Sequence, residues 1–115
     1  MRLPVDTSRL QFLVVAEAEP QRQYEEGKRR EERAPRVDEN GEVVYQVQVV
    51  ALGDGEAEII RVSVPGDPNV KQGEMVRVDG MTAQAWEMDG RSGMAFWAAT
   101  VRPAGARAQG EKQAA

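Results

Sequence analysis

Two tryptophans, Trp86 and Trp97, are the residues of this 115-residue chain best suited to holding a flat ligand. Both lie between residues 76 and 103, in segments that otherwise have the composition of β-strands. An indole in a strand either packs into the core or presents a flat apolar face to a ligand. Strand alternation places Phe96 and Trp97 on opposite faces, and it favours Phe96 in the core and Trp97 outside. Trp86 is expected to face a ligand, because its hairpin extends beyond the body of the domain.

Basic side chains are concentrated in two stretches, although the net charge of the whole chain is -4. Residues 20–37 contain six Lys or Arg and four Glu, and residues 90–115 contain four Lys or Arg and one Glu. Guanidinium groups bind phosphate in a bidentate geometry, so both stretches are candidate phosphate-binding surfaces. The candidate site residues in them are Tyr24, Arg29, Arg30, Arg33, Arg36 and Arg91. The alternative for the first stretch is a solvated loop whose glutamates pair with its own arginines.

The chain contains no cysteine and no histidine. These absences remove the thiolate nucleophile, the usual general base near neutral pH and the commonest metal ligand. The turn at residues 53–56 and the sequence Gly66-Asp67-Pro68 lack the remaining ligands of a calcium loop. The sequence therefore predicts no catalytic residue, no metal and no cofactor, and the protein is not expected to be an enzyme.

No apolar run approaches the roughly 20 residues needed to cross a bilayer. The N-terminal residues also lack the long apolar core of a signal peptide. A cytoplasmic protein with no membrane association is therefore expected.

The alternation of apolar and polar residues predicts five strands and no helix. The predicted strands cover residues 10–18, 43–52, 57–65, 75–88 with a bend at Gly80, and 94–103. Turns are predicted at Asn40-Gly41, at residues 53–56 and at residues 89–93. The second and third strands should form an antiparallel hairpin. Its outward face is expected to carry Gln46, Gln48 and Arg61, with Ile59 and Ser63 beside them and Arg77 of the fourth strand adjoining.

This pattern predicts an all-β domain, a small five-stranded barrel of the oligonucleotide/oligosaccharide-binding (OB) type, over residues 1–103. A long hairpin joins its fourth and fifth strands, and a flexible charged loop at residues 19–37 joins the first two. Residues 104–115 are expected to form a disordered tail. An SH3-like barrel and a plain β-sandwich are the alternative folds.

Residues 72–103 resemble the C-terminal half of bacterial single-stranded DNA-binding proteins, which are OB-folds. In that family a Gly-Glu or Gly-Asp pair precedes a Val-x-Val-x-Gly strand, a Trp follows on a long hairpin, a Gly-containing turn reverses the chain, and an alternating strand closes the barrel. The matching residues are Gly73-Glu74, Val76-Arg77-Val78-Asp79-Gly80, Trp86, Asp89-Gly90, and Met94 to Val101. The spacing from Gly80 to Trp86 is one residue shorter than in the family, and the tail lacks the acidic, Phe-ended tip that recruits replication enzymes. The likeness is therefore to minimal relatives such as those encoded by plasmids and phages.

The resemblance implies binding of single-stranded DNA with little sequence preference. Bases would stack on Trp86 and Trp97, and phosphates would meet the basic loop and the face of the second and third strands. A homo-oligomer, with a dimer as the first expectation, is also predicted, because exposed strand edges pair readily. The alternative function is a protein-interaction module whose aromatic hairpin docks a partner or a second subunit.

Overall fold

The computed structural model describes residues 1–23, 27–29 and 33–104 of the chain. These residues form one mixed sheet of eight strands in the order β1-β6-β7-β4-β3-β2-β5-β8, and the all-β prediction is confirmed. The strands are β1 (Leu3–Pro4), β2 (Gln11–Pro20), β3 (Val44–Gly53), β4 (Glu56–Pro65), β5 (Met75–Asp79), β6 (Thr82–Met88), β7 (Arg91–Trp97) and β8 (Thr100–Pro103). In the described ranges, no helix has the length and apolar character that crossing a membrane requires.

The predicted central hairpin is confirmed as β3 and β4, which pair from Val44 with Pro65 to Gly53 with Glu56. Asp54 and Gly55 connect the strands, with φ of 51° and 77°. Positive φ at both positions is the type I′ geometry, whose twist matches that of the flanking strands. Val47 and Val49 of β3 and Val62 and Val64 of β4 are buried on one face of the hairpin, as its alternation predicts.

The two long segments after the hairpin each break into two strands. The predicted bend at Gly80 is confirmed, since Gly80 has a φ of 64° and separates β5 from β6. The predicted turn at residues 89–93 was too long, because Asp89 and Gly90 alone reverse the chain and Arg91 already begins β7. The last predicted strand is interrupted at residues 98–99, where the backbone leaves β7 and begins β8.

The segment between β2 and β3, predicted as a flexible loop, is anchored at its base in the described residues. Gln21 N–H donates to the Val44 carbonyl at 2.7 Å, and Arg36 N–H donates to the Gln21 carbonyl at 2.7 Å. The predicted Asn40-Gly41 turn is present, and Gly41 has a φ of 82°. Tyr24, Arg30 and all of the predicted tail except Ala104 lie outside the described residues.

The core is built mainly from valine. Its buried residues are Phe12, Val14, Val47, Val49, Val62, Val64, Val70, Val76, Val78, Met81, Ala98 and Val101. Phe12 pairs with Ala51 of β3 on one side and with Val76 of β5 on the other. Val62 of β4 pairs with Phe96 of β7 in a parallel ladder. These two pairings bring the first and last thirds of the chain onto the central hairpin.

Candidate functional site

Both tryptophans lie on one face of the β6–β7 hairpin. Trp86 pairs with Gly93, and Trp97 pairs with Thr82, in one continuous antiparallel register. Paired residues point to the same side and side chains alternate along a strand, so residues 93 and 97 share a face. Their rows lie about 13 Å apart, from a rise of about 3.3 Å per residue. We call this surface, with Gln84 and Ala95 between the two rows, the tryptophan face.

Trp86 lies across the backbone of the neighbouring strand because its partner is a glycine. A Cβ placed on Gly93 would be 2.8 Å from Cζ2, 2.9 Å from Cε2 and 3.1 Å from Nε1 of the indole. The ring therefore occupies the space that a side chain at position 93 would need, and 44% of Trp86 remains exposed. The result is a flat apolar surface held in one orientation near the end of the hairpin.

Trp97 lies outside the core, whereas its neighbour Phe96 packs against the core cluster, as alternation predicts. Two guanidinium groups lie over its ring: Arg2 Cζ is 4.2 Å and Arg36 Cζ is 4.7 Å from the ring centroid. Both distances are within the range of a cation–π interaction. Trp97 is thus half-buried and already in contact with two cations.

Arg2 is a site residue that sequence reasoning missed. It precedes β1, whose Pro4 pairs with Thr82, and Thr82 in turn pairs with Trp97. A two-residue strand carries no detectable alternation, so no pattern in the first ten residues indicated this contact.

The tryptophan face continues onto the central hairpin. Ser63 of β4 pairs with Trp97 of β7, and Gln46 of β3 pairs with Ser63. Gln48 pairs with Arg61 two residues further along the same face. The structure therefore brings the predicted residues Gln46, Gln48 and Arg61 onto the surface that carries the tryptophans. The Ser63 hydroxyl is buried and donates to Gln21 Oε1 at 3.3 Å.

Arg91 also belongs to this face. It lies two residues before Gly93 on β7, and it pairs with Met88, which lies two residues after Trp86 on β6. Arg33 instead donates its Nε to the Lys28 carbonyl at 3.1 Å, within its own segment, where Arg29 is also exposed. The predicted contributions of Tyr24 and Arg30 lie outside the described residues.

Arg77 does not adjoin the tryptophan face, contrary to the expectation from sequence. It lies on β5, which β2 separates from β3 in the sheet. Its Nη2 is 3.6 Å from Oδ1 of Asp79, and Arg102 donates to Oδ2 of the same carboxylate at 2.7 Å. The hydrogen bond from Arg102 lowers the pKa of Asp79 below its ordinary value, with smaller contributions from Thr100 and Arg77. Arg77 and Arg102 therefore interact with the Asp79 carboxylate, at the β5–β8 end of the sheet.

Comparisons of the chain with protein-family models, with curated proteins and with solved structures gave no match. The site combines one exposed indole, one indole beneath two guanidinium groups, and a strand face carrying amides and a guanidinium.

Proposed function

We propose that this chain is an OB-fold protein that binds single-stranded DNA with little sequence preference. The observation that carries the proposal is that Trp86 and Trp97 share one face of a hairpin, and that this face continues through Gln46, Gln48 and Arg61. Aromatic surfaces next to cations on a strand face are what single-strand binding requires.

The strand pairings support the OB part of the proposal. When β5 with β6 and β7 with β8 are each counted as one bent strand, the chain has five long strands after β1. The first three of these strands, β2, β3 and β4, form a meander. The third (β4) pairs in parallel with the fifth (β7–β8). The fourth (β5–β6) pairs with both the fifth and the first (β2). The sheet is open rather than closed into a barrel, and we read its strand order as OB-type, since an OB-fold is a five-stranded, partly open barrel whose ligands bind on the face of its second and third strands and on its first and fourth loops. In this chain those strands are β3 and β4, and the fourth loop is the β6–β7 turn.

In the proposed complex a base stacks on the exposed part of Trp86, a contact that contributes about 1 to 3 kcal/mol per base in comparable proteins. Arg61 and Arg91 meet phosphates on either side of it. Gln46 and Gln48 hydrogen-bond to whichever base edges they meet. Because every base offers a flat π face, such a surface discriminates little between sequences.

The decisive experiment is a titration of a fluorescently labelled oligo-dT with the protein at about 50 mM and about 200 mM salt, followed by anisotropy. Binding should be tight at the lower salt and should weaken at the higher one. Trp86→Ala should reduce the affinity by about tenfold or more, given the stacking energy above. Met94→Ala is the matched control, because Met94 is 50% exposed on the same hairpin but pairs with Ala85 on the opposite face.

Loss of affinity in both variants, or no binding at the lower salt, would count against the proposal. An oligo-rU titration run in parallel compares RNA with DNA. Equal or tighter binding of oligo-rU would replace DNA with RNA in the proposal.

A second candidate function, docking of a protein partner or of a second copy, is favoured by the apolar side chains near the end of the hairpin. Trp86, Met88 and Met94 are 44%, 68% and 50% exposed, and they project from both of its faces. Exposed apolar clusters of this kind mark interaction surfaces. Acrylamide quenching of the Trp97→Phe variant separates the two functions: a Trp86 that is shielded in the free protein favours docking, and an accessible Trp86 favours the nucleic acid. Sedimentation equilibrium gives the oligomeric state in which the quenching is measured.

A further inference from the structure

We infer that Trp97, Arg2 and Arg36 form a phosphate clamp for the backbone of the strand, so that the N-terminal segment is part of the ligand site. This inference rests on the proposed function, because the phosphate it assigns belongs to a single-stranded nucleic acid. It gives the two tryptophans different tasks: Trp86 stacks on a base, and Trp97 positions two guanidinium groups.

The two cations reach the ring from segments far apart in the chain, and backbone hydrogen bonds hold each segment. Val5 N–H donates to the Met81 carbonyl at 2.9 Å, which fixes the strand that follows Arg2. On the other side, Val44 N–H donates to the Arg36 carbonyl at 2.8 Å. The guanidinium carbons then lie 4.2 Å and 4.7 Å from one centroid. The clamp is therefore built by tertiary structure and needs no reorganisation of the backbone.

The two guanidinium groups at this ring carry like charges, so they repel each other. An anion bound between or beside them would relieve that repulsion. Among the residues that the structure describes, no carboxylate forms an ion pair with Arg2 or Arg36. Asp38 and Glu39 line the same groove. Oδ1 of Asp38, however, accepts the backbone N–H groups of Asn40 and Glu42, each at 2.9 Å, and so stabilises its own turn. The cation–π contacts orient the guanidinium groups without neutralising them.

The groove beside the ring has room for a segment of nucleic-acid backbone. It has a volume of about 720 Å³, and its lining includes Thr82, Gly80 and Ala99 in addition to the clamp residues. The planar fork of arginine donors matches the oxygens of a phosphate. By contrast, a base stacked over Trp97 would lie with its centroid about 4.5 Å or more from the indole. That is the distance at which the guanidinium groups already lie, so a base over the same part of the ring would have to displace them.

The chain's two tryptophans allow each to be observed alone. Trp97→Phe leaves Trp86 as the single tryptophan, and Trp86→Phe leaves Trp97. On titration with oligo-dT, stacking should quench the emission of Trp86 strongly. The emission of Trp97 should change little while anisotropy of the labelled oligonucleotide shows that binding still occurs. Strong quenching of Trp97 at the same saturation point would overturn the clamp in favour of stacking.

The charges are tested with the double variant Arg2→Gln/Arg36→Gln. Its matched control is Arg9→Gln/Arg77→Gln, which removes the same charge from exposed positions outside the groove. The clamp variant should bind oligo-dT about tenfold more weakly or worse at low salt. The slope of log affinity against log salt should fall in magnitude by about 1.4, since each single-strand phosphate contact contributes about 0.7. The control should change the slope by much less.

An oligo-dT with neutral methylphosphonate linkages isolates the phosphate charge, and the difference between wild type and the clamp variant should disappear on it. Equal losses of affinity in the clamp variant and its control would overturn the inference. Unchanged thermal unfolding by circular dichroism shows that both variants are folded. If wild type itself fails to bind oligo-dT at low salt, the proposed function fails. If wild type binds and the clamp variant matches it, the clamp alone fails.

Discussion

The indole of Trp86 lies directly across Gly93 of the neighbouring strand, with Cζ2 2.8 Å from where a Cβ at position 93 would lie. The absence of a side chain at position 93 is therefore what sets the ring flat on the hairpin. Aromatic side chains commonly cover a glycine in this way and compensate for the packing that the glycine lacks. In this protein the arrangement holds an exposed aromatic surface in one orientation.

Gly93→Ala should displace the Trp86 ring from the hairpin, because the new Cβ would overlap two ring atoms and crowd a third. In a Trp97→Phe background, the emission maximum of Trp86 should move to longer wavelength, and affinity for oligo-dT should fall several-fold. The free energy of unfolding should change by less than about 1 kcal/mol, the span of strand propensities. Ser92→Ala, at the adjacent position on the opposite face, should leave the emission and the affinity unchanged. An unchanged emission maximum in the Gly93 variant would contradict this account of the ring's position.

Arg61 and Arg77 should differ in their effect on binding although both are exposed arginines on strands. Arg61 lies on the face that carries Trp97, whereas Arg77 lies on β5 beside Asp79. Arg61→Gln should lower the magnitude of the salt slope by about 0.7, the contribution of one phosphate contact. Arg77→Gln should leave the slope near that of wild type. Anisotropy titrations at four or more salt concentrations measure both, and a larger effect at Arg77 would show that the ligand lies on the other side of β2.

Gly80→Ala should destabilise the fold, because Gly80 sets the bend between β5 and β6. Its φ of 64° is strained for alanine, and the added Cβ would be 2.9 Å from Cβ of Ala99. The strain alone costs about 1 to 3 kcal/mol. Ala99→Gly removes the overlap and leaves the strained φ, so the double variant should recover part of the loss. Urea denaturation of the four proteins measures this coupling, and strict additivity would show that the overlap is relieved by other means.

Asp79 should make stability depend on pH in the acid range. The hydrogen bond from Arg102 lowers the pKa of Asp79 below 3.8, its ordinary value. The folded state thus holds this proton less tightly than the unfolded state, so the stabilisation is present above about pH 4 and is lost as pH falls through the lowered pKa. Near pH 7, Asp79→Asn should be less stable than wild type by under about 1 kcal/mol, because the carboxylate is partly exposed. Urea denaturation should show this difference vanishing at lower pH.

Glu58→Gln, at an exposed position of β4, controls for the loss of one negative charge. Arg102→Gln should reproduce most of the pH-dependent loss, because it removes the main cause of the shift. A stability difference between wild type and Asp79→Asn that persists unchanged below the lowered pKa would contradict the assignment.

Local alternation was sufficient to predict the strands of the central hairpin and the opposite facing of Phe96 and Trp97. Side chains in a strand alternate with a period of two whatever the strand pairs with, so these features can be read from neighbouring residues. The bend at Gly80 was also predictable, because glycine in a strand commonly marks such a point. The same reasoning placed Gln46, Gln48 and Arg61 together on one face.

Tertiary structure decided which distant residues meet. Arg2 reaches Trp97 through the pairing of β1 with β6, and Arg77 is separated from the tryptophan face by the pairing of β2 with β5. These pairings join segments far apart in the chain, and their register is selected by the packing of the common core rather than by any local pattern. The sequence by itself thus determined the strands of the central hairpin and the side chains that they present outward. The assembly of an aromatic ring with two arginines from separate segments depended on how those strands pack.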